Sequence, residues 1–419
     1  MLSARALPAV LCGLAVVIAA AGAAADGIDK QDFRQIERGR YLTIVGDCAA
    51  CHTLPGGSQD FAGGRSIETP FGQLIAPNIT PDPQTGIGAW TDDEFVNALK
   101  NGTGRNGDRL YPAMPYTYYT KVTRDDALAI RAYLNTLPSV YNPVNANQLP
   151  FPFDIRTSML AWNKLFFTPG TFQPNPNKSA EWNRGAYLSE GLAHCGLCHT
   201  PKNFLGGDRN SQYLRGYALQ GWFAPDITND SRRGLGGWSV DEIAAYLNTG
   251  HNSTSAATGL MAEMVHLSTS HMSDADLKAI AVYLKDQPGD DANESQSASA
   301  KPDDTTMKPG GAIYADECSG CHARDGKGAP GLFPSLNGSP VVQQTDPTTL
   351  LHIVLRGARS AATDGAPTGA AMPQFGWILR DADVAAVLTY IRNSWGNSAP
   401  PVTAAEVAKA RSALVERSD

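Results

Sequence analysis

The sequence predicts a mostly α-helical chain made of three tandem copies of one small domain. Three observations predict it. A Cys-x-x-Cys-His stretch occurs at Cys48–His52, again at Cys195–His199 and again at Cys318–His322. Ahead of each stands a helix-patterned segment bearing glycine: Arg38-Gly39-Arg40-Tyr41-Leu42, Arg184-Gly185-Ala186-Tyr187-Leu188 and Gly310-Gly311-Ala312-Ile313-Tyr314. No run of residues alternates apolar and polar for long enough to read as a convincing strand.

The spacing inside the repeated stretch carries chemistry. Two intervening residues let one helical turn set both sulfurs along a porphyrin edge, where they add across the vinyl groups, and the next imidazole then lies under the iron. This is the attachment signal of c-type haem. With 7 Cys and 8 His in 419 residues, one accidental match is expected in roughly several hundred such chains, so three are not accidental. A zinc site would need further Cys or His at finger spacings, and a thioredoxin-type pair has no need of His at the same place three times. Cys48, Cys51, Cys195, Cys198, Cys318 and Cys321 are therefore the expected haem thiols, with His52, His199 and His322 as iron ligands. The remaining cysteine, Cys12, falls in the N-terminal apolar run, which leaves no thiol for a disulfide, a zinc site or a nucleophile.

Residues 1–25 read as a secretory signal, with Arg5 ahead of an apolar run from Leu7 to Ala21 and Ala23-Ala24-Ala25 as the cleavage site. Export suits c-type haem, which is attached outside the bacterial cytoplasm, so a periplasmic location at the outer face of the cytoplasmic membrane is expected. The net charge of −7, with no cluster of Lys or Arg, argues against a nucleic-acid partner. No later stretch has enough consecutive apolar residues to span a bilayer.

The first domain is placed at residues 26–146. Its entering helix runs from Phe33 to Val45, and Thr91 with Glu94 forms a capping box ahead of Phe95, Val96 and Leu99. Residues 147–177 are rich in Pro and aromatics, too apolar for a floppy tether. We read them as an ordered connection packed across the first two domains, with a short helix from Ile155 to Phe166; a partner-binding surface is the alternative.

The second domain, 178–288, repeats the plan. Asp226-Ile227-Thr228 matches Asn78-Ile79-Thr80, and Ser239 with Glu242 repeats the capping box ahead of Ile243, Tyr246 and Leu247. Residues 289–305 read as a solvated linker. The third domain, 306–396, has Leu350, Leu351, Val354 and Leu355 on the equivalent helix. Each domain closes with a helix begun near Thr123, Ser273 or Asp381. The tail, 397–419, contains apolar positions from Val402 to Val415 that suit a docking helix or a frayed end.

An electron-transfer haem commonly adds Met to His as the sixth ligand. Met114 lies 62 residues after His52, and Met261 lies 62 after His199. Met372 lies 50 after His322 in a shorter unit, and both Met114 and Met372 precede Pro. These three are the expected axial ligands. Met264 and His266 stand close enough to Met261 to compete, whereas His251 and His271 read as surface residues beside loops.

These residues resemble the triheme cytochrome c subunits of periplasmic membrane-bound dehydrogenases, of the quinoprotein alcohol dehydrogenase and flavin-dependent gluconate, sorbitol or fructose dehydrogenase type. The resemblance covers nearly the whole chain after the signal. It includes Thr69-Pro70-Phe71-Gly72, Asn78-Ile79-Thr80-Pro81-Asp82, Tyr111-Pro112-Ala113-Met114-Pro115-Tyr116 and Gly259-Leu260-Met261-Ala262-Glu263. It implies three class I cytochrome c domains carrying three covalent haem c groups. It also implies a catalytic dehydrogenase partner of quinoprotein, flavoprotein or molybdenum type, with ubiquinone or another respiratory acceptor at the end. The rival readings are a haem enzyme in its own right, of peroxidase or thiosulfate-oxidising type, and a free-standing carrier to a terminal oxidase.

Overall fold

A computed structural model describes residues 32–289 and 302–415. The signal at 1–25 and most of the linker lie outside the described residues. In the first unit, α1 (Phe33–Val45) begins where the Asp32 carboxylate accepts from Arg34 N at 3.0 Å, and it buries Gly39, Leu42, Thr43 and Val45 along one face. The haem-motif helix α2 (Cys48–His52) follows, after Asp47 breaks the helix at a φ of 48°. α3 (Asp92–Asn101) carries the capping box of Thr91 and Glu94 and buries Phe95, Val96 and Leu99. The short α4 (Tyr116–Tyr119) and the closing α5 (Arg124–Leu134) complete the unit.

The connection holds α6 (Ser158–Phe166), which starts three residues later than the pattern suggested. Residues 150–158 are instead spent on turns, with Phe153 N bonded to Pro150 O and Ser158 N to Ile155 O. Trp162 is buried, and its Nε1 donates to Leu205 O of the second unit at 2.8 Å, while Tyr116 of the first unit donates to Asn163 at 2.6 Å. The connection is thus packed between the two units.

The second unit repeats the first with α7 (Ala180–Glu190), α8 (Cys195–His199), α9 (Val240–Thr249), α10 (Gly259–Leu267) and α11 (Asp274–Lys285). The third has α12 (Asp304–Ile313), α13 (Ser319–His322), α14 (Pro340–Gln343), α15 (Thr348–Arg356) and α16 (Asp381–Arg392). There the entering helix runs into the haem motif through a π-helical turn, Tyr314–Cys318, instead of breaking before it. The tail forms α17 (Ala404–Val415), docked with Val407 and Leu414 buried against the third core. No described helix is long and apolar enough to cross a membrane.

One crossing recurs in all three units. The entering helix passes so close to the closing helix that a Cβ on Gly39 would lie 1.8 Å from Ala129 O, one on Gly185 1.9 Å from Ala279 O, and one on Gly310 2.2 Å from Ala386 O. Only glycine permits that approach.

Short strands are a correction to the sequence reading. β1 (Ser66–Thr69), β2 (Gly72–Ile75) and β3 (Asn147–Gln148) form an antiparallel sheet, and β4 (Tyr217–Leu219) pairs with β5 (Trp222–Ala224). β6 (Ala358–Arg359) pairs with β7 (Ala371–Met372). At two to four residues each, they are too short to show alternation and are set by their turns. Gln220 and Gly221, both at positive φ, make the two-residue turn between β4 and β5.

The first two units meet by exchanging side chains. Arg38 pairs with Asp126 in the first unit at 2.6 Å, and Tyr187 of the second donates to the same carboxylate at 2.5 Å. Reciprocally, Arg184 pairs with Asp276 at 2.7 Å, and Tyr41 of the first unit donates to it at 2.6 Å. The same phenol oxygens accept from the cap residues, Thr123 N and Ser273 N. The third unit docks differently. Thr349 Oγ1 accepts from Phe223 N and donates to Phe223 O, His352 stacks on Trp222 with centroids 3.9 Å apart, and Gln344 Nε2 donates to Arg233 O.

Candidate haem-binding site

Each motif helix ends on a histidine held by a proline carbonyl. His52 Nδ1 lies 2.7 Å from Pro77 O, His199 Nδ1 2.7 Å from Pro225 O, and His322 Nδ1 3.0 Å from Pro334 O. A carbonyl can only accept, so each Nδ1 carries the proton and each Nε2 keeps its lone pair. Burial lowers the pKa of all three rings, which favours the neutral imidazole a metal requires.

Two of these prolines, Pro77 and Pro225, are each followed by the repeated Asn-Ile-Thr or Asp-Ile-Thr segment, which is closed on itself by local bonds. Asn78 Oδ1 accepts from Thr80 N at 2.9 Å and Thr80 Oγ1 at 2.7 Å; Asp226 Oδ1 accepts from Thr228 N at 2.7 Å and Thr228 Oγ1 at 2.6 Å. Sequence reasoning noticed that repeat but missed Pro77, Pro225 and Pro334. The available signal was the offset: Pro77 lies 25 residues after His52, and Pro225 lies 26 after His199.

The surroundings of the thiols disfavour the thiolate form. Burial pushes Cys48 and Cys51 up to about 12, and Cys195, Cys198 and Cys318 up to about 11. A redox pair or a nucleophile needs the opposite shift.

A single cavity of about 1320 Å³ runs past all three motifs, touching Cys51, Cys195, Cys198, Cys318 and Cys321. Pockets for one small ligand are roughly 300–1,000 Å³, so this space fits more than one prosthetic group. Its walls are predominantly apolar side chains, as a porphyrin needs. The residues present fit haem on each count: paired thiols, a neutral imidazole with a free Nε2, and an apolar slot.

Met261 and Met264 both line this cavity with His199, and Met372 lines it with His322. Met114, like Cys48 and Ala49, packs against the core cluster that runs through the first two units. His266 is turned away, exposed and with Nδ1 3.1 Å from Ala362 O. His271 is exposed as expected, but His251 is not a surface residue. It is buried, with Nδ1 on Thr249 O at 3.0 Å, because the loop after α9 folds beneath the third unit, where Thr254 O accepts from Ser335 N.

The cytochrome c family model matches residues 36–138 and 307–395. The chain is 40% identical over 418 residues to the gluconate 2-dehydrogenase cytochrome c subunit of Pantoea cypripedii, covering 95% of this chain and 94% of that one. It is 38% identical to the cytochrome c subunit of the quinone-type alcohol dehydrogenase of Gluconobacter oxydans, over 90% of this chain and 82% of that one. It is 37% identical to the fructose dehydrogenase cytochrome subunit of Gluconobacter japonicus, again over 90% and 82%. With its repeated helical units and haem-motif geometry, the chain belongs to the cytochrome c subunits of dehydrogenases, electron-transfer proteins that carry covalently bound haem c.

Proposed function

We propose that the chain holds three haem c groups and passes electrons from a catalytic dehydrogenase subunit to ubiquinone or another respiratory acceptor. The observation that carries this reading is the threefold recurrence of a histidine, proton on Nδ1 and bonded to a proline carbonyl, at the end of a paired-thiol helix, with thiols of all three motifs lining one cavity. When bound, the haem groups supply one-electron carriage. The chain's own residues fix them: Cys48 and Cys51, Cys195 and Cys198, and Cys318 and Cys321 as thioether anchors. His52, His199 and His322 would hold the iron, with Met114, Met261 and Met372 as the further ligands.

With a histidine and a methionine from the chain for each site, no ligand position would be left for peroxide, oxygen or an organic substrate, which speaks against a haem enzyme. The relatives named as subunits of gluconate, alcohol and fructose dehydrogenases support a partner that does the substrate chemistry; our reading takes it to be of quinoprotein, flavoprotein or molybdenum type. We place the mature chain in the periplasm, exported by residues 1–25 and held at the outer face of the cytoplasmic membrane through its partners.

The test is intact mass and haem assay on the purified chain, followed by co-purification from a mild detergent extract. Three haems per chain, a co-purifying dehydrogenase and substrate-dependent quinone reduction only by the complex are expected. Substrate turnover by the isolated chain would overturn the reading.

A further inference from the structure

Two polar relays cross the boundary between the first two units, and they run in opposite directions. In one, Arg65 donates through Nη1 to the Ala50 carbonyl, inside the motif helix α2. The same guanidinium grips both carboxylate oxygens of Glu263, with Nη2 2.8 Å from Oε2. Glu263 sits on α10, between Met261 and Met264. In the other, Lys202 donates to the Gly196 carbonyl inside α8 at 3.1 Å and pairs with Asp208 at 2.6 Å. Asp208 accepts from the Tyr118 hydroxyl at 2.5 Å, on α4, four residues after Met114.

Each relay therefore starts on the motif helix of one unit and ends on the methionine segment of the other. They are not surface pairs of the usual weak kind. The side chains of Lys202 and Arg65 are 10% and 22% exposed, and both cations touch motif-helix carbonyls. Beside Arg65 lies Asp47, whose Oδ1 is buried without a hydrogen-bond partner among the described residues. The third unit reaches the second through Thr349, His352 and Gln344, and through Ala361 N donating to Ala257 O ahead of α10; none of these bonds involves a relay residue.

We propose that these two relays set the reduction potentials of the first two haem sites as a pair, leaving the third site outside their reach. The inference rests on the three-haem reading above. A fixed cation favours the state with one more electron, a fixed carboxylate the state with one fewer, and the low-dielectric interior strengthens both effects. Cys51 on α2 and Cys198 on α8 line the same cavity, so a change at either relay is felt at both sites. Arg65, Glu263, Lys202 and Asp208 act here as positioning residues.

The experiment is a spectroelectrochemical titration of the full haem-loaded chain, with the third site identified as the potential altered by Met372→Ala. Arg65→Gln is expected to lower the other two potentials and Glu263→Gln to raise the same two, with the double variant returning close to the parent. Lys202→Gln and Asp208→Asn are expected to repeat that opposition, which keeps the test available should Arg65→Gln not fold. Shifts of one sign in both single variants, or shifts in one potential or in all three, would overturn the proposal, because a merely structural clamp has no reason to reverse sign. Intact mass separates the two levels: fewer than three haems in the parent chain refutes the three-haem reading and this inference with it. Three haems with unmoved potentials refute this inference alone.

Discussion

Tyr41 reaches Asp276 across 235 positions of sequence and donates to it at 2.6 Å. Tyr187 returns the same bond to Asp126, and both carboxylates are also held by an arginine of their own unit. Tyr41→Phe or Tyr187→Phe removes one donor to a buried carboxylate and is expected to cost about 1.5–3 kcal/mol. Denaturant unfolding should show the loss in the transition of the first two units, with the third unit's transition unmoved.

The second prediction concerns acid. Burial pushes the Asp276 carboxyl upward, but the bonds from Arg184 and Tyr41 outweigh it and hold the group below its ordinary value. A carboxylate depressed in the folded state contributes stability that is complete above its unfolded value of about 3.9 and is lost as pH falls through the folded one. The stability gap between the parent chain and Asp276→Asn should therefore shrink as pH drops from about 6 towards 3, read from urea midpoints. A gap that widens on acidification would refute this.

The third concerns the recurring helix crossing. Gly39→Ala, Gly185→Ala and Gly310→Ala each place a methyl within about 2 Å of a backbone carbonyl, so the helices must separate. Overpacking of this kind typically costs about 1–3 kcal/mol, and here backbone rather than a flexible side chain must give way. Reduced melting temperature and incomplete haem loading of the affected unit, measured by intact mass, are expected.

The fourth concerns ligation. Met114→Ala, Met261→Ala and Met372→Ala should each open one site and convert about one-third of the haem signal to high spin. Met264→Ala is the control, since Met264 lines the same cavity as Met261. Conversion by Met264→Ala with Met261→Ala silent would reassign the second site.

The helical plan was legible in the sequence wherever local rules suffice. The Phe33–Val45 helix, the capping boxes at Thr91 and Ser239, and the closing helices after Thr123 and Ser273 depend on neighbours within one turn. The hairpins were not legible because two to four residues cannot display a period. The histidine-to-proline bonds span 12 to 26 residues of chain, so nothing local announces them. His251 was misread because its cover comes from another unit. The tyrosine exchange left one trace: Tyr41 and Tyr187 sit two residues after the crossing glycine, where the third unit has Ala312.

That substitution bears on the architecture as a whole. A contact in which each partner offers the other the same patch is satisfied by two members and offers nothing to a third. A third unit therefore cannot be joined by the same contact. The third unit, without the tyrosine, attaches to a different face, through the β4–β5 hairpin of its neighbour. A closed twin with a single appendage has two unlike ends, so direction along the chain of sites is written into the way the units join.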